Sequence, residues 1–247
     1  CRPVPVSVFG SEIMPIHKFT KPIAGGIVLL VIAVVLALSG SYDGEDVPAT
    51  RNITVIDGDT IAFDKQVYDL AGTDAPELGQ RCEEGGNLYP CGETAAFALD
   101  KLVGLRNPVC TAIEKGADEG KVVCTTRTTN LGANLIEDGL AVASGSETGN
   151  YKTLEHAAKS SDLGIWRWAF IVPQKWREGE RLPAETETPF ECPVLGLKVD
   201  GKLVFAVPTD PNHQALSKQT DKLIERFCSV QDARANGYQH PAEQAGN

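Results

Sequence analysis

Residues 53–77, ITVIDGDTIAFDKQVYDLAGTDAPE, carry four carboxylates at spacings that can do chemistry: Asp57, Asp59, Asp74 and Glu77. Asp57 and Asp59 are two apart, so in extended chain their side chains share a face. Gly58 between them allows a tight backbone turn. Pro76 fixes the chain just before Glu77. Apolar, β-branched runs flank the first pair and lead to the second, so the pattern gathers acidic oxygens at one end of a small sheet. Oxygen-rich clusters of this kind suit hard cations such as calcium. The plain alternative is a hairpin turn at Asp57-Gly58-Asp59 with a solvated acidic edge.

Positioning such a cluster takes a folded domain, and the composition allows one. The chain has 247 residues, of which 42% are hydrophobic and 23% charged, which is ordinary for a globular protein and excludes wholesale disorder. Its net charge of −10 lacks the basic footprint that usually marks nucleic-acid binding. Nucleic acid therefore stands as a partner only where a metal or a local basic patch offsets the acidic surface. The sequence names no protein partner.

The single methionine is Met14. Lys18 and Lys21 follow it and precede an uncharged, apolar run over residues 22–41, the pattern of an export signal. Residues 1–13 read as lying upstream of the true start. The strongly apolar core, 27–38, is short for a membrane span, and Ala37-Leu38-Ser39 offers a cleavage site. A cleaved signal peptide and a single N-terminal anchor, giving contact with a membrane, both stay open. Either places the remainder outside the cytoplasm, periplasmic, secreted or anchored. Residues 1–51 thus read as leader and linker.

From there the pattern predicts three strands over 52–72, with turns at Asp57-Gly58 and Asp64-Lys65. A loop over 78–91 follows, clipped by Cys82 and Cys91. A helix over 92–105 has an apolar side. Two strands, 109–113 and 121–124, carry Cys110 and Cys124, which can bridge them. A short helix over 130–138 ends at Gly139; a short strand and a helix over 151–163 complete the unit. This order, five short strands with about three helices, suits a closed five-stranded Greek-key barrel of the oligonucleotide-binding (OB-fold) type in a mostly β, α+β domain. The aromatic run over 165–170 reads either as a base-stacking platform or as a segment sealing the barrel. Sealing is preferred, because basic residues beside it are sparse.

Residues 178–191 are acidic with prolines and read as a linker. Residues 192–247 read as a small α+β module, with a hairpin around Asp200-Gly201 and a helix over 216–227. Cys192 and Cys228 flank both. With His213 and His240 they offer a zinc site, but export favours a disulfide.

Residues 52–177 resemble the staphylococcal-nuclease-like (thermonuclease) family. The shared runs are VIDGDTI, LAGTDAPE, QRC and YPCGETAA, NLGANLIEDGLAVA, the helix with Tyr151, Glu155 and Ala158, and GIW followed by Phe170, Pro173 and Trp176-Arg177. The resemblance implies a barrel with calcium-dependent phosphodiesterase chemistry. It implies calcium ligation by Asp59, Asp74 and the carbonyl of Ala75, with Asp57 a further acid of the same site. It assigns Glu77 to the attacking water. The 192–247 segment looks like a small C-terminal module that accompanies such domains.

The chain departs from the family pattern at its two arginines. Asp69 stands at the first position and Lys121 at the second, beside Glu119 in place of a tyrosine, and Ser144 stands where another tyrosine often follows. Losing one pre-organised donor to the transition state costs about 10²–10³ in rate. Lysine retains charge without the bidentate fork. Arg81 is the nearby candidate to substitute. The expectation is a nuclease-like domain with impaired or absent catalysis, or a non-catalytic metal-binding module at the cell surface.

Overall fold

β-Branched and aromatic residues at a period of two build the first sheet. In the computed structural model, which describes residues 53–116, 119–145, 150–219 and 221–244, strands β1 (Thr54–Val55), β2 (Thr60–Phe63) and β3 (Gln66–Asp69) pair antiparallel in that order. Thr60 lies opposite Asp69 and Ile61 opposite Tyr68. The turn between β2 and β3 uses Asp64 and Lys65 at positive φ, 49° and 66°, as a two-residue hairpin loop requires. The leader expected over residues 1–51 lies outside the described residues. Among the described residues, no helix is long and apolar enough to cross a membrane.

β4 (Thr73–Asp74) is only two residues long, and Pro76 just beyond it has no N–H to continue a ladder. The loop expected over 78–91 is a hairpin, β5 (Cys82–Glu84) on β6 (Asn87–Tyr89), closed by the Cys82–Cys91 disulfide. Helix α1 (Cys91–Arg106) follows and buries Ala95, Ala96 and Leu99. β7 (Val109–Ala112) and β8 (Val122–Thr125) pair with Cys110 opposite Cys124, and the two are disulfide-bonded. Asn130 caps helix α2 (Leu131–Glu137), its side chain accepting from the Ala133 N–H at 3.2 Å, a standard N-cap contact. β9 (Val142–Ala143) pairs with β4, and α3 (Tyr151–Ser160) packs behind it.

The expected closed barrel is not what the described residues show. Their strands form separate small antiparallel ladders, joined by single bridges such as Leu70 with Val122. The architecture is mixed α+β. Two-residue strands and glycine or proline breaks keep the ladders short. Val55, Ile61, Leu70, Leu99, Val122 and Leu135 nonetheless share one core.

The aromatic run lies half-buried against the Cys82–Cys91 hairpin. Trp166, Trp168 and Phe170 pack with Val142 and Ile165, and Trp166 meets Phe170 edge-on at 5.1 Å. That is a packing role.

Residues 178–191, expected as a linker, are mostly exposed but not featureless. They contain helix α5 (Pro183–Glu187), just after α4 (Pro173–Arg177), and Glu185 is buried. Beyond it, β10 (Val194–Val199) lies between β11 (Lys202–Ala206) and β12 (Leu223–Phe227). The helix expected over 216–227 is instead a short α6 (His213–Leu216) followed by strand β12. Apolar Leu223, Ile224 and Phe227 suit either state in isolation; pairing with the central strand, Val194 opposite Phe227, decides it. The Cys192–Cys228 disulfide clamps the same edge, so neither cysteine is free for zinc. His213 meets the Pro193 carbonyl and buried His240 meets Asp210 instead. Helices α7 (Val230–Ala235) and α8 (Pro241–Gln244) complete the chain. Val194, Phe205, Phe227 and Val230 pack against Ile56, Leu78 and Ala96, so residues 192–244 share a core with the first sheet and α1. The described residues form one compact unit.

Candidate active site

The turn after β1 places the first two acids. The Asp59 N–H donates to Asp57 Oδ1 at 3.2 Å, and the Ile56 N–H reaches back to the Thr60 carbonyl at 2.9 Å. Asp59 Oδ2 accepts from the Ala75 N–H at 2.9 Å, which ties the turn to the segment after β4. Gly58 is required here: a Cβ would meet the Ala75 Cβ at 2.6 Å and the Ala95 Cβ at 2.9 Å. The first acid pair therefore sits directly on the segment that carries the second.

Glu77 is held by a second device. Its N–H donates to Gln80 Oε1 at 3.3 Å, and the Gln80 N–H returns to the Glu77 carbonyl at 2.7 Å. Gln80 Nε2 donates to the Ile171 carbonyl at 2.5 Å. The start of α1 abuts the same turn, since a Cβ on Gly92 would lie 1.7 Å from the Glu77 carbonyl oxygen. Gln80 is fully buried; its role follows from contacts 91 residues apart, a distance at which local pattern carries no signal.

The site's electrostatics are unfavourable for bare carboxylates. Burial pushes the Asp57 carboxyl up, against hydrogen bonds from Thr60 and Asp59. Burial pushes Asp59 well up, and the charges of Asp57, Asp74, Asp69 and Glu77 push it further. Glu77 is raised to about 8 by burial and the Asp57 charge, despite an ion pair with Arg177. Asp57 Oδ2 is buried without a hydrogen-bond partner. Strained acids of this kind cluster at functional sites.

Asp57, Asp59, Asp74, Ala75 and Glu77, foreseen from the sequence, are thus brought to one place. Asp69 is exposed at the end of β3, accepting from Thr60 Oγ1 at 3.1 Å. Lys121 is half-buried just before β8. The parallel bridge between Leu70 and Val122 makes the residues preceding them, Asp69 and Lys121, neighbours on adjacent segments. Arg81 does not enter the site. Its guanidinium pairs with Glu93 at 3.2 Å and lies 4.7 Å over the Phe190 ring.

The cation that does enter was not foreseen. Arg177 Nη1 donates to Asp74 Oδ1 and to Glu77 Oε1, each at 2.8 Å. Burial opposes its charge, but the two hydrogen bonds outweigh this and raise its pKa. The trace in the sequence is Trp176-Arg177, whose indole is almost fully buried.

The hard divalent cation expected from the sequence can be held against this donor set. It would relieve the unpartnered Asp57 oxygen and the mutual repulsion around Asp59. Among the described residues, no group of three or more histidine, cysteine or acidic side chains is placed to hold a metal ion.

The fold and site define a small α+β domain with a buried acidic centre. Residues 68–168 match the family model for staphylococcal nuclease homologues. Over 141 residues the chain is 36% identical to the succinoglycan biosynthesis protein ExoI of Rhizobium meliloti (strain 1021), covering 55% of this chain and 74% of that relative. The chain belongs to the staphylococcal nuclease homologue family. The model match begins after Asp57 and Asp59 and ends before Arg177.

Proposed function

We propose that the domain is a calcium-dependent phosphodiesterase acting on nucleic acid, with a rate well below that of a site holding two family arginines. The observation that carries this reading is the joining of Asp57, Asp59, Asp74 and Glu77 at one buried centre through the Asp59–Ala75 hydrogen bond. A bound calcium ion would supply charge neutralisation at the phosphate and orientation of water. Asp59, Asp74 and the Ala75 carbonyl would hold that ion. Glu77 Oε accepts the proton of the attacking water, a role for a carboxylate within hydrogen-bond reach. Lys121 contributes a point charge near Asp69. The disulfides favour an oxidising compartment outside the cytoplasm for this work.

The test is cleavage of labelled single- and double-stranded DNA and RNA, in calcium against chelator. Calcium-dependent cleavage abolished by Glu77→Gln is expected; absence of cleavage in calcium removes the reading. The relative's name, succinoglycan biosynthesis, gives reason to include that polysaccharide as an alternative substrate.

A second reading is a non-catalytic, metal-stabilised module at the cell surface. It is favoured by Asp69 at an expected arginine position. In that case calcium raises the melting temperature while no substrate is cut.

A further inference from the structure

We propose that Arg177 is the phosphate-binding cation of this site, delivered by the segment beyond the family-model match at residues 68–168. The inference rests on the reading of the site as one that handles phosphodiesters. An anion approaching Asp57, Asp59, Asp74 and Glu77 meets like charge in a poorly solvated place, where repulsion is strong. The cation in contact with both Asp74 and Glu77 is Arg177.

Its geometry suits the task. One nitrogen, Nη1, makes both carboxylate contacts, which leaves Nε and Nη2 outside those two bonds. The side chain is 33% exposed while Glu77 is 3% exposed, so the guanidinium spans from the buried acids to solvent. A planar fork held on one side can present its other donors to phosphate oxygens.

The placement is built, not incidental. Trp176, next in sequence, is 1% exposed, and its Nε1 donates to Glu185 Oε1 at 3.0 Å. The same Oε1 accepts the Arg81 N–H at 3.0 Å, and Oε2 accepts the Leu182 N–H at 3.0 Å. The Arg181 guanidinium lies 3.6 Å from the indole centroid. Gln80 ties Ile171, two residues before α4, to the Glu77 turn. Glu185 and Gln80 are therefore positioning residues. They fix on one frame the acid that would activate water and the arginine that would bind phosphate.

The experiment compares Arg177→Ala and Arg177→Lys with the unaltered chain. Calcium-dependent cleavage and binding of a fluorescein-labelled oligothymidylate are measured, with melting temperature in parallel. Arg177→Ala is expected to lower cleavage by about 10²–10³ and oligonucleotide binding at least tenfold. Arg177→Lys should retain part of both. Millimolar guanidinium ion should restore cleavage in Arg177→Ala, an effect a merely structural arginine would not show. Cleavage by Arg177→Ala at or above the unaltered rate overturns the inference and makes Arg177 a plug on Asp74 and Glu77, while the nuclease reading stands. If the unaltered chain cuts nothing, the nuclease reading falls by itself. Binding then decides: a tenfold loss in Arg177→Ala upholds the inference, and equal binding overturns it. Should Arg177→Ala fail to fold, Arg177→Lys carries the same comparison.

Discussion

Glu185 and Glu77 are both nearly closed to solvent, 7% and 3% exposed, yet their surroundings differ in kind. Glu185 accepts three donors, from Arg81, Trp176 and Leu182. Glu77 lies among Asp57 and Asp74, shares its one arginine with Asp74, and is raised to about 8. Asp57, in the same cluster, has a buried oxygen without a partner. A buried carboxylate whose lone pairs are filled by the protein is a fastener. One left short of donors, among like charges, stores unfavourable energy that a cation or a ligand can release. The first kind surrounds α5; the second surrounds the turn after β1. The difference separates what holds this fold from what the fold is arranged to bind.

Substitution can break that contrast. Glu185→Ala leaves three donors in or near the core without an acceptor, each worth about 1–3 kcal/mol, so a loss of about 3–5 kcal/mol is expected. Denaturant unfolding should show it, and calcium should not reverse it. If Glu185→Ala is as stable as the unaltered chain, the fastener role is wrong. Asp57→Asn should act oppositely. Without calcium it relieves a strained, buried charge and raises stability by about 1 kcal/mol. With calcium it should shrink the ion-induced rise in melting temperature. In the unaltered chain that rise corresponds to about 2.7 kcal/mol when the ion stands at a hundred times its dissociation constant. A calcium-induced rise unchanged by Asp57→Asn would remove Asp57 from the site.

A further contrast is in pH dependence. Glu77 titrates at about 8 in the folded state against an ordinary 4.5. Between those values the folded protein keeps a proton that the unfolded chain releases. Stability of the calcium-free protein should therefore fall as pH rises through this window. Denaturant unfolding across it should give a downward slope that Glu77→Gln flattens. A slope that survives Glu77→Gln assigns the titration elsewhere.

Much of the site is legible in local pattern. Residues two apart on extended chain share a face, so Asp57 and Asp59 announce themselves. Pro76 and Gly58 mark the turns that aim the acids, and the cysteine pairs 82–91, 110–124 and 192–228 follow from the hairpins and strands they flank. The failures share a cause. Residues 178–191 read as linker because their acids and prolines look solvated, and nothing local reveals that Glu185 meets an indole nine residues away and a backbone N–H 104 residues away. Residues 223–227 read as helix because three apolar positions fit both periods; strand β10 chose between them. Arg81 was the nearer arginine in sequence and turned to Glu93 instead.

By itself, then, the sequence determined the acids, their family setting, the disulfide pairs and the absence of arginine at Asp69. Tertiary structure alone decided which cation meets those acids. Arg177 reaches Asp74 and Glu77 across 103 and 100 residues. Local rules fix the direction of a side chain within a strand or turn. They say nothing about a contact that exists only because Trp176 is buried, Glu185 receives its indole, and Gln80 ties Ile171 to the Glu77 turn.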